Sequence, residues 1–128
     1  MKVKCINIKR PNRDNVYDSL TVGKEYLVFT IEINDPASSV AKFTGDFVVY
    51  RLIDDDGVVI PYPSKIFEIT SGKLSPNWLY INYKDGIEIL PELFAGEFFW
   101  DDFYNSEPYA LEVFEKVKEQ LYNEESIN

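Results

Sequence analysis

The sequence predicts an α+β fold in which a curved, mainly antiparallel sheet is followed by two C-terminal helices. Two observations lead to this fold class. Short β-rich runs separated by turn signals fill the first two thirds of the chain, and the apolar residues after Pro91 recur at helical spacing. The chain has 128 residues, of which 45% are hydrophobic, and this suffices for one core. We therefore expect a single domain over residues 1–128, β-rich at 1–90 and helical at 91–122.

The first two predicted strands precede Pro36. KVKCINIK (2–9) alternates imperfectly between polar and apolar residues and is typical of a strand, and the polar loop PNRDN follows it. A longer β-rich run extends from Tyr26 to Ile33. Its more hydrophobic alternating set is Leu27, Phe29, Ile31 and Ile33, so we expect that set to face the core. NDPASS then breaks the chain.

Two hairpins are predicted in the second third of the chain. Asp56-Gly57 lies between two β-branched runs, and Asp85-Gly86 lies between two further β-rich runs. An Asp-Gly pair suits the positive φ angles of a tight hairpin turn. Pro61 and Pro63 end the second strand of the first hairpin or mark it as an edge strand. Between the hairpins, SKIFEIT (64–70) predicts a helical turn followed by a short strand.

The segment 97–104 is predicted to be the first of the two helices. At about 100° per residue its apolar and acidic side chains separate onto opposite sides. The apolar side holds Phe99, Trp100, Phe103 and Tyr104, and the acidic side holds Glu97, Asp101 and Asp102. Phe98 falls among the acids, where a core provides no reason for an aromatic ring.

The second helix is predicted to begin near Pro108. Ser106 is expected to cap it, with Pro108 in its first turn. A buried stripe then recurs at helical spacing: Ala110, Val113, Phe114, Val117 and Leu121. Residues 123–128 (NEESIN) are expected to form a frayed tail.

The negative charge of the chain is concentrated in one quarter of the sequence. The formal net charge is −9, and the stretch from Asp85 to Glu115 holds nine acids and neither lysine nor arginine. The rest of the chain has 13 acids against 13 bases. Such a field repels nucleic acid and anionic membranes and speeds encounter with a basic partner. A solubilising acidic face is the alternative interpretation of the same charges.

The residue types needed for most enzymatic sites are missing. The chain has no histidine and one cysteine, Cys5, whose place in a β-like run predicts a small buried residue. The glycines are isolated, so no phosphate-binding loop is indicated. Asp101 and Asp102 would point about 100° apart on a helix, which does not suit a pair of glycosidase acids. We therefore expect no enzymatic activity, cofactor or metal, and a small carboxylate enzyme remains an alternative that no spacing supports.

Charges at the N-terminus argue against a signal peptide or membrane anchor. Lys2, Lys4, Lys9 and Arg10 interrupt every apolar run there. Together with the unpaired cysteine, this predicts a soluble cytoplasmic protein.

Binding to another protein is the function class that remains. NWLYINY and EFFWDDFY combine aromatic residues, which often dominate binding energy, with carboxylates that would meet lysine and arginine. The predicted partner-binding residues are Tyr83, Asp85, Glu97, Phe98, Asp101, Asp102, Tyr104 and Glu107.

Two stretches in the first half resemble a family pattern. SLTVGKEYLV, followed by YRLIDDDGVVIPYPSKIFEI, resembles small bacterial and phage proteins that are similar to SH3-like barrels. The resemblance covers residues 1–70. It implies that Gly23 allows the turn into a strand, that Tyr26 and Phe67 pack together, and that Asp56-Gly57 reverses the chain.

The C-terminal part resembles a second group of proteins. NW…DG…FFWDDFYNSEPYALEVFEK is similar to the tails of immunity proteins from polymorphic toxin and contact-dependent growth inhibition systems. This resemblance implies a cytoplasmic inhibitor that covers a cognate basic toxin, such as a nuclease, with an acidic and aromatic surface. The alternative is an SH3-like protein-interaction or phage accessory module without an inhibitory role. That alternative predicts contacts around residues 12–18 and 37–45, and a homodimer is a further alternative for any exposed aromatic patch.

Overall fold

The computed structural model describes residues 1–96 and 98–126 and has an α+β architecture. The strands are β1 Lys2–Cys5, β2 Glu25–Asn34, β3 Val48–Ile53, β4 Val59–Pro63, β5 Phe67–Ser71, β6 Trp78–Tyr83 and β7 Gly86–Pro91. The helices are α1 Ser39–Thr44, α2 Phe99–Tyr104 and α3 Pro108–Ser126, with 3-10 turns at Ser64–Ile66 and Glu92–Phe94. The strands form an open, seven-stranded, antiparallel sheet. The predicted α+β class with a mainly antiparallel sheet is therefore confirmed.

Strand β2 is the centre of the sheet because three strands pair with it. The main order is β4-β3-β2-β1-β5, and β7 also pairs with β2 and carries β6 on its other side. Strand β1 pairs with the start of β2 at Glu25–Leu27, whereas β7 pairs with its end at Ile31–Asn34. Because β1 and β7 pair with different parts of β2, the sheet divides on that side into two branches, β1–β5 and β7–β6.

Strand β2 contributes side chains to two separate hydrophobic cores. The first core includes Val3, Cys5, Tyr26, Val28, Leu52, Tyr62 and Phe67. The second core lies under the C-terminal helices and includes Leu27, Phe29, Leu90, Phe94, Phe99 and Phe114. An irregular register between Val28 and Thr30 interrupts the alternation, so Ile31 packs against the first core. The prediction that one alternating set of β2 faces the core is therefore wrong, and Ile33 is exposed.

Both predicted hairpins are present. In the first, Ile53 pairs with Val59, and Gly57 has a φ of 79°. Its second strand, β4, is an edge strand that contains Pro61 and Pro63. In the second hairpin Tyr83 pairs with Gly86, so the turn residues are Lys84 and Asp85, one position earlier than predicted.

Gly86 is required by the close approach of β7 to β2. A β-carbon at this position would lie 2.3 Å from the carbonyl oxygen of Ile33, a main-chain atom that the ladder holds in place. The glycine therefore serves strand pairing and not the turn itself.

Helix α1 was not predicted from the sequence. Its N-cap is Ser38, whose hydroxyl accepts a hydrogen bond from the Ala41 amide at 3.1 Å. It ends at Gly45, which has a φ of 76°. With six residues between these caps, the helix is too short to show a periodic apolar pattern.

Ser106 ends α2 and does not cap α3, so its predicted role is wrong. It has a φ of 59°, and its amide donates to the Phe103 carbonyl at 3.0 Å. The Glu107 amide donates to the Asp102 carbonyl at 2.9 Å. This pair of bonds around a left-handed residue is the Schellman arrangement of a helix C-terminus. Helix α3 then begins directly at Pro108.

Helix α3 buries the predicted stripe and extends beyond its predicted end. Ala110, Phe114, Val117 and Leu121 are buried, and Val113 packs against the same core. The helix continues through Ser126, so the predicted frayed tail is wrong for residues 123–126; residues 127 and 128 lie outside the described part. Glu125 lies 2.7 Å from the Met1 amino group, and this contact holds the end of α3 against the sheet.

Candidate partner-binding surface

Arg51 on β3 fixes the short helix α2 to the sheet. Its guanidinium carbon lies 4.4 Å from the centre of the Trp100 ring, and its Nη1 donates to the Tyr104 hydroxyl at 2.6 Å. Its Nε and Nη2 donate to Glu32 Oε2 at 3.2 and 2.8 Å. A six-residue helix is unstable alone, so these contacts and the burial of Phe99 determine where α2 lies.

Tyr104 is an anchor of α2 as well as a surface residue. Its hydroxyl donates to the Val59 carbonyl of β4 and accepts from Arg51. Burial raises the pKa of Tyr104, while the Arg51 guanidinium acts in the opposite direction. The hydroxyl therefore keeps its proton at neutral pH and remains a donor. The predicted partner-binding residue Tyr104 is thus already engaged through its hydroxyl, although 47% of the residue is exposed.

Phe98 and Asp101 lie on the open side of α2. The Phe98 side chain is 60% exposed, as its helical position predicts, and Asp101 is exposed too. Phe98 precedes the first helical residue, and its carbonyl accepts from the Asp102 amide at 2.9 Å. Its main chain is therefore fixed while its ring contacts solvent. This is an arrangement suited to contact with another molecule.

Asp102 and Glu107 continue this acidic side toward α3. Asp102 is half-buried and accepts a hydrogen bond from the Tyr109 hydroxyl, which raises the pKa of Tyr109. Glu107 is exposed, and its carbonyl accepts from the amides of Ala110 and Leu111 in the first turn of α3. We use the name "α2 face" for the side chains of Phe98, Asp101, Asp102, Glu107 and Tyr109.

The remaining predicted residues lie elsewhere or outside the described residues. Glu97 belongs to the part that the structure does not describe. Tyr83 and Asp85 lie at the β6–β7 turn, beside Ile33–Asp35, at the opposite end of β7 from α2. The eight predicted residues therefore do not form one continuous group, and the α2 face contains four of them.

Glu88 is not part of an exposed acidic surface, although it belongs to the acid-rich quarter of the chain. It pairs across the ladder with Glu32, whose carboxylate bonds Arg51. Burial, followed by the Glu32 charge, raises the pKa of Glu88 to about 7. The Glu88 side chain lies on the same face of β7 as the buried Leu90. It is therefore partly buried between the sheet and the C-terminal helices.

Sequence reasoning missed the cluster of Glu32, Arg51 and Glu88. Each of these charges stands in a β-rich run, and a charge at an alternating position usually marks a solvent-facing side. Here that side of the sheet is covered by α2, so the charges must pair with one another. Single charged residues inside three predicted strands were the available signal, but the pairing of β2 with β7 was needed to interpret it.

A cleft lies between the loop 10–19, α1 and β4. Its lining includes Tyr17, Phe43, Thr44, Ile60 and Pro61. Phe43 is 60% exposed, and the Arg13 guanidinium lies 5.0 Å from the centre of its ring. This cleft coincides with the loops at which the alternative interaction module predicts contacts.

Comparisons with known proteins found no match. No protein-family model matches it, and no curated protein or solved structure matches it significantly. Among residues 1–96 and 98–126, no cluster of three or more histidine, cysteine, aspartate or glutamate side chains could hold a metal ion. Within the same ranges, no helix has the length and apolarity needed to cross a membrane.

Proposed function

We propose that the chain is an immunity-type inhibitor that binds a basic toxin, such as a nuclease, through its α2 face. The observation that carries the proposal is the exposed Phe98 ring beside Asp101, on a helix whose other side is tied to the sheet. In this proposal the protein acts in the cytoplasm of the cell that makes it. It works by attraction and occlusion and forms no covalent bond with its target.

The rigidity of α2 supports this role. Trp100 packs against Phe94, Phe99 and Phe103, and Arg51 holds the helix from the sheet side. A face that is already ordered loses little conformational entropy when it binds, so more of the contact energy becomes affinity. Phe98 then supplies an exposed aromatic anchor on the same side as the exposed Asp101, and aromatic rings often dominate binding energy.

The charge of the α2 face supports a basic partner. Along the sequence from Asp85 to Glu115 no lysine or arginine neutralises the acids. Outside the α2 face, three other acids of this stretch, Glu92, Glu112 and Glu115, are exposed, whereas Glu88 is half-buried. Attraction between opposite surfaces raises association rates by about 10–1,000-fold and falls as salt increases.

Charge reversal tests the proposal against the protein encoded immediately upstream in the genome. The site variant is Asp101→Lys with Glu107→Lys, and its control is Asp14→Lys with Asp18→Lys. All four acids are exposed, and both variants change the net charge equally. We expect the site variant to slow association at least about tenfold at low salt, with the control close to the parent.

Each outcome has a clear meaning. If both variants slow association equally, the effect comes from net charge and not from the α2 face. If the site variant does not slow association, the α2 face is excluded as the binding site. Phe98→Ala should raise the dissociation rate by about 10–100-fold and leave the melting temperature unchanged, since the ring is largely exposed. Two results would contradict the proposed function: an upstream protein that is acidic, or an upstream protein that binds neither the parent nor any of these variants.

An interaction module without an inhibitory role is the second candidate function, and the cleft beside α1 favours it. The exposed Phe43 belongs to α1, lies against the Arg13 guanidinium and would be the anchor for a partner there. Under this alternative Phe43→Ser abolishes partner binding and Phe98→Ser leaves it intact. The proposed inhibitor gives the reverse result. The Asp14→Lys, Asp18→Lys variant also lies at this cleft and would then be the one that changes association.

We also propose that residues 1–71 have an SH3-like arrangement. The support is the order β5-β1-β2-β3-β4 in this part of the sheet, in which the ten-residue strand β2 pairs with β1 at its start and with β3 along the rest of its length. A 3-10 turn at Ser64–Ile66 links β4 to β5. The pair β6–β7 and the helices α2 and α3 would then be an addition at the end of β2. A solved structure in which β1 and β5 do not pair would contradict this arrangement.

A further inference from the structure

The outer edge of β6 has no partner strand. Strand β6 pairs with β7 alone, from Trp78 opposite Pro91 to Tyr83 opposite Gly86. A two-residue turn makes Tyr83 and Gly86 a hydrogen-bonded pair, so Leu79 and Ile81 also bond toward β7. The main-chain groups of Tyr80 and Asn82 therefore point away from the sheet. Among the described residues, no hydrogen bond reaches them.

The other two edge strands of the sheet, β4 and β5, have features that prevent pairing with a further strand. Strand β4 contains Pro61 and Pro63, which cannot donate to a new ladder. Strand β5 carries Glu68, and the end of α3 lies against it, where Ser71 Oγ donates to Glu125 at 3.2 Å. Strand β6 reads WLYINY and contains no proline, glycine or charged residue. An edge of this composition is a template for another strand.

Exposed apolar side chains extend this edge onto the sheet. Tyr80 is 63% exposed and Leu79 is 40% exposed, and they lie on opposite faces of β6. Tyr80 lies opposite the half-buried Ile89, which pairs in turn with Ile31. A strand added to β6 would therefore cover apolar surface on both faces as well as the open main chain.

We propose that β6 pairs antiparallel with β6 of a second copy of this chain, which makes one sheet continuous across a two-fold axis. The first argument for a second copy as the partner concerns the charge repulsion between two copies. Tyr104, at the C-terminal end of α2, contacts Arg51 of β3 and the Val59 carbonyl of β4. The order β3-β2-β7-β6 puts β3 about 14 Å from β6, at about 4.8 Å per strand. This exceeds the screening length of about 8 Å, so charges at that end of α2 add little repulsion between two copies that meet at β6.

The second argument is a charge match that only the antiparallel arrangement creates. With Tyr80 on the two-fold axis, Leu79 faces Ile81 of the second copy and Asn77 faces its Tyr83. The Glu92 amide donates to the Asn77 carbonyl at 2.8 Å, so Glu92 lies beside that end of β6. Lys84 follows Tyr83, and the symmetry brings Lys84 of one copy near Glu92 of the other, twice. Both side chains are exposed and, within the described residues, neither is in an ion pair.

The proposal goes beyond the inhibitory function because it leaves the α2 face open in both copies. A homodimer of this kind presents two partner-binding faces, each on a helix remote from the two-fold axis. The interface is isologous, so it closes at two copies and does not form a filament.

Sedimentation analysis of the whole chain across micromolar to near-millimolar concentrations tests the dimer. The parent should shift from monomer to dimer within that range. Tyr80→Lys should raise the dimer dissociation constant at least about tenfold, because it places two like charges together on the axis. Tyr122→Lys is the control, since Tyr122 is half-exposed on α3 and away from β6. A monomer at every concentration, or a dimer that Tyr80→Lys does not weaken, would overturn the proposal.

Two further measurements test the register. Lys84→Glu and Glu92→Lys should each weaken the dimer, and the double variant should restore it; a double variant weaker than both singles would reject the antiparallel arrangement. Tyr80→Cys should form a disulfide-linked dimer on oxidation, since the two α-carbons would lie about 5.5 Å apart. Tyr122→Cys should remain monomeric, and the native Cys5 is buried and does not interfere. Cross-linking of both variants to the same extent would indicate random collision and would also overturn the proposal.

Discussion

Replacing Arg51 with alanine should lower the free energy of unfolding by about 3–5 kcal/mol, the usual cost of removing one partner from a buried ion pair. The side chains of Arg51 and Glu32 are each 12% exposed, so their charges are largely shielded from water. The substitution leaves the Glu32 carboxylate without its two donors at 2.8 and 3.2 Å. It also removes the cation from the Trp100 ring and the donor to the Tyr104 hydroxyl.

This loss would be a large fraction of the total stability. A domain of 128 residues has a free energy of unfolding of roughly 6–19 kcal/mol. For a chain of this size, a loss of about 3–5 kcal/mol lowers the melting temperature by roughly 10–20 °C. The measurement is urea unfolding at neutral pH, monitored by far-ultraviolet circular dichroism and by tryptophan fluorescence, to which both Trp78 and Trp100 contribute.

Two comparisons separate the ion pair from a general effect of removing an arginine. Arg13→Ala removes a guanidinium that stacks on the exposed Phe43, and it should cost less than about 1 kcal/mol. Arg51→Met with Glu32→Gln removes both charges, so most of the stability lost in Arg51→Ala should return. A loss below about 1 kcal/mol in Arg51→Ala, or no recovery in the double variant, would refute the argument that this ion pair holds α2.

Three more predictions concern single positions. The pKa of Glu88 is raised from 4.5 to about 7 in the folded protein, so the folded state binds the proton more tightly than the unfolded state. This proton binding adds to the free energy of unfolding. The contribution is complete below pH 4.5 and is lost as the pH rises to about 7. Glu88→Gln should abolish this dependence, which amounts to at most about 3 kcal/mol, in unfolding curves measured across that pH range. Gly86→Ala should destabilise the fold by at least about 2 kcal/mol in urea, because the new methyl group meets the Ile33 carbonyl; an unchanged midpoint would contradict the β2–β7 register. Ser106→Gly should stabilise it by about 1 kcal/mol, since glycine adopts a φ of 59° without strain, whereas Ser106→Val should lower the melting temperature.

The hairpins and the α3 stripe were predictable because their signals are local. Asp56-Gly57 fixes a turn whatever surrounds it, and Ala110, Phe114 and Val117 repeat at a spacing that only a helix brings to one side. The turn of the second hairpin was predicted one residue late because Gly86 has a different task, the approach of β7 to β2. A glycine required by a strand 53 residues earlier is indistinguishable in sequence from a turn glycine.

The candidate surface was predictable in part for the same reason. The exposure of Phe98 followed from its angle on a helix, which depends on its immediate neighbours. The engagement of Tyr104 did not follow, because its hydroxyl bonds Arg51 and Val59, both remote in sequence. The separation of Asp85 from α2 likewise required the direction of β7, which places the turn and the helix at its two ends.

The position of β2 between two cores has a consequence for how the molecule opens. Phe29 belongs to the core beneath the helices and Val28 to the other, so neighbouring residues of one strand serve both. Loosening either core displaces a strand on which the other depends, so we expect the two cores to unfold in a single transition. The slowest amide hydrogen exchange should therefore occur in the middle of β2, at a rate set by global unfolding, while the β6–β7 hairpin exchanges through local fraying.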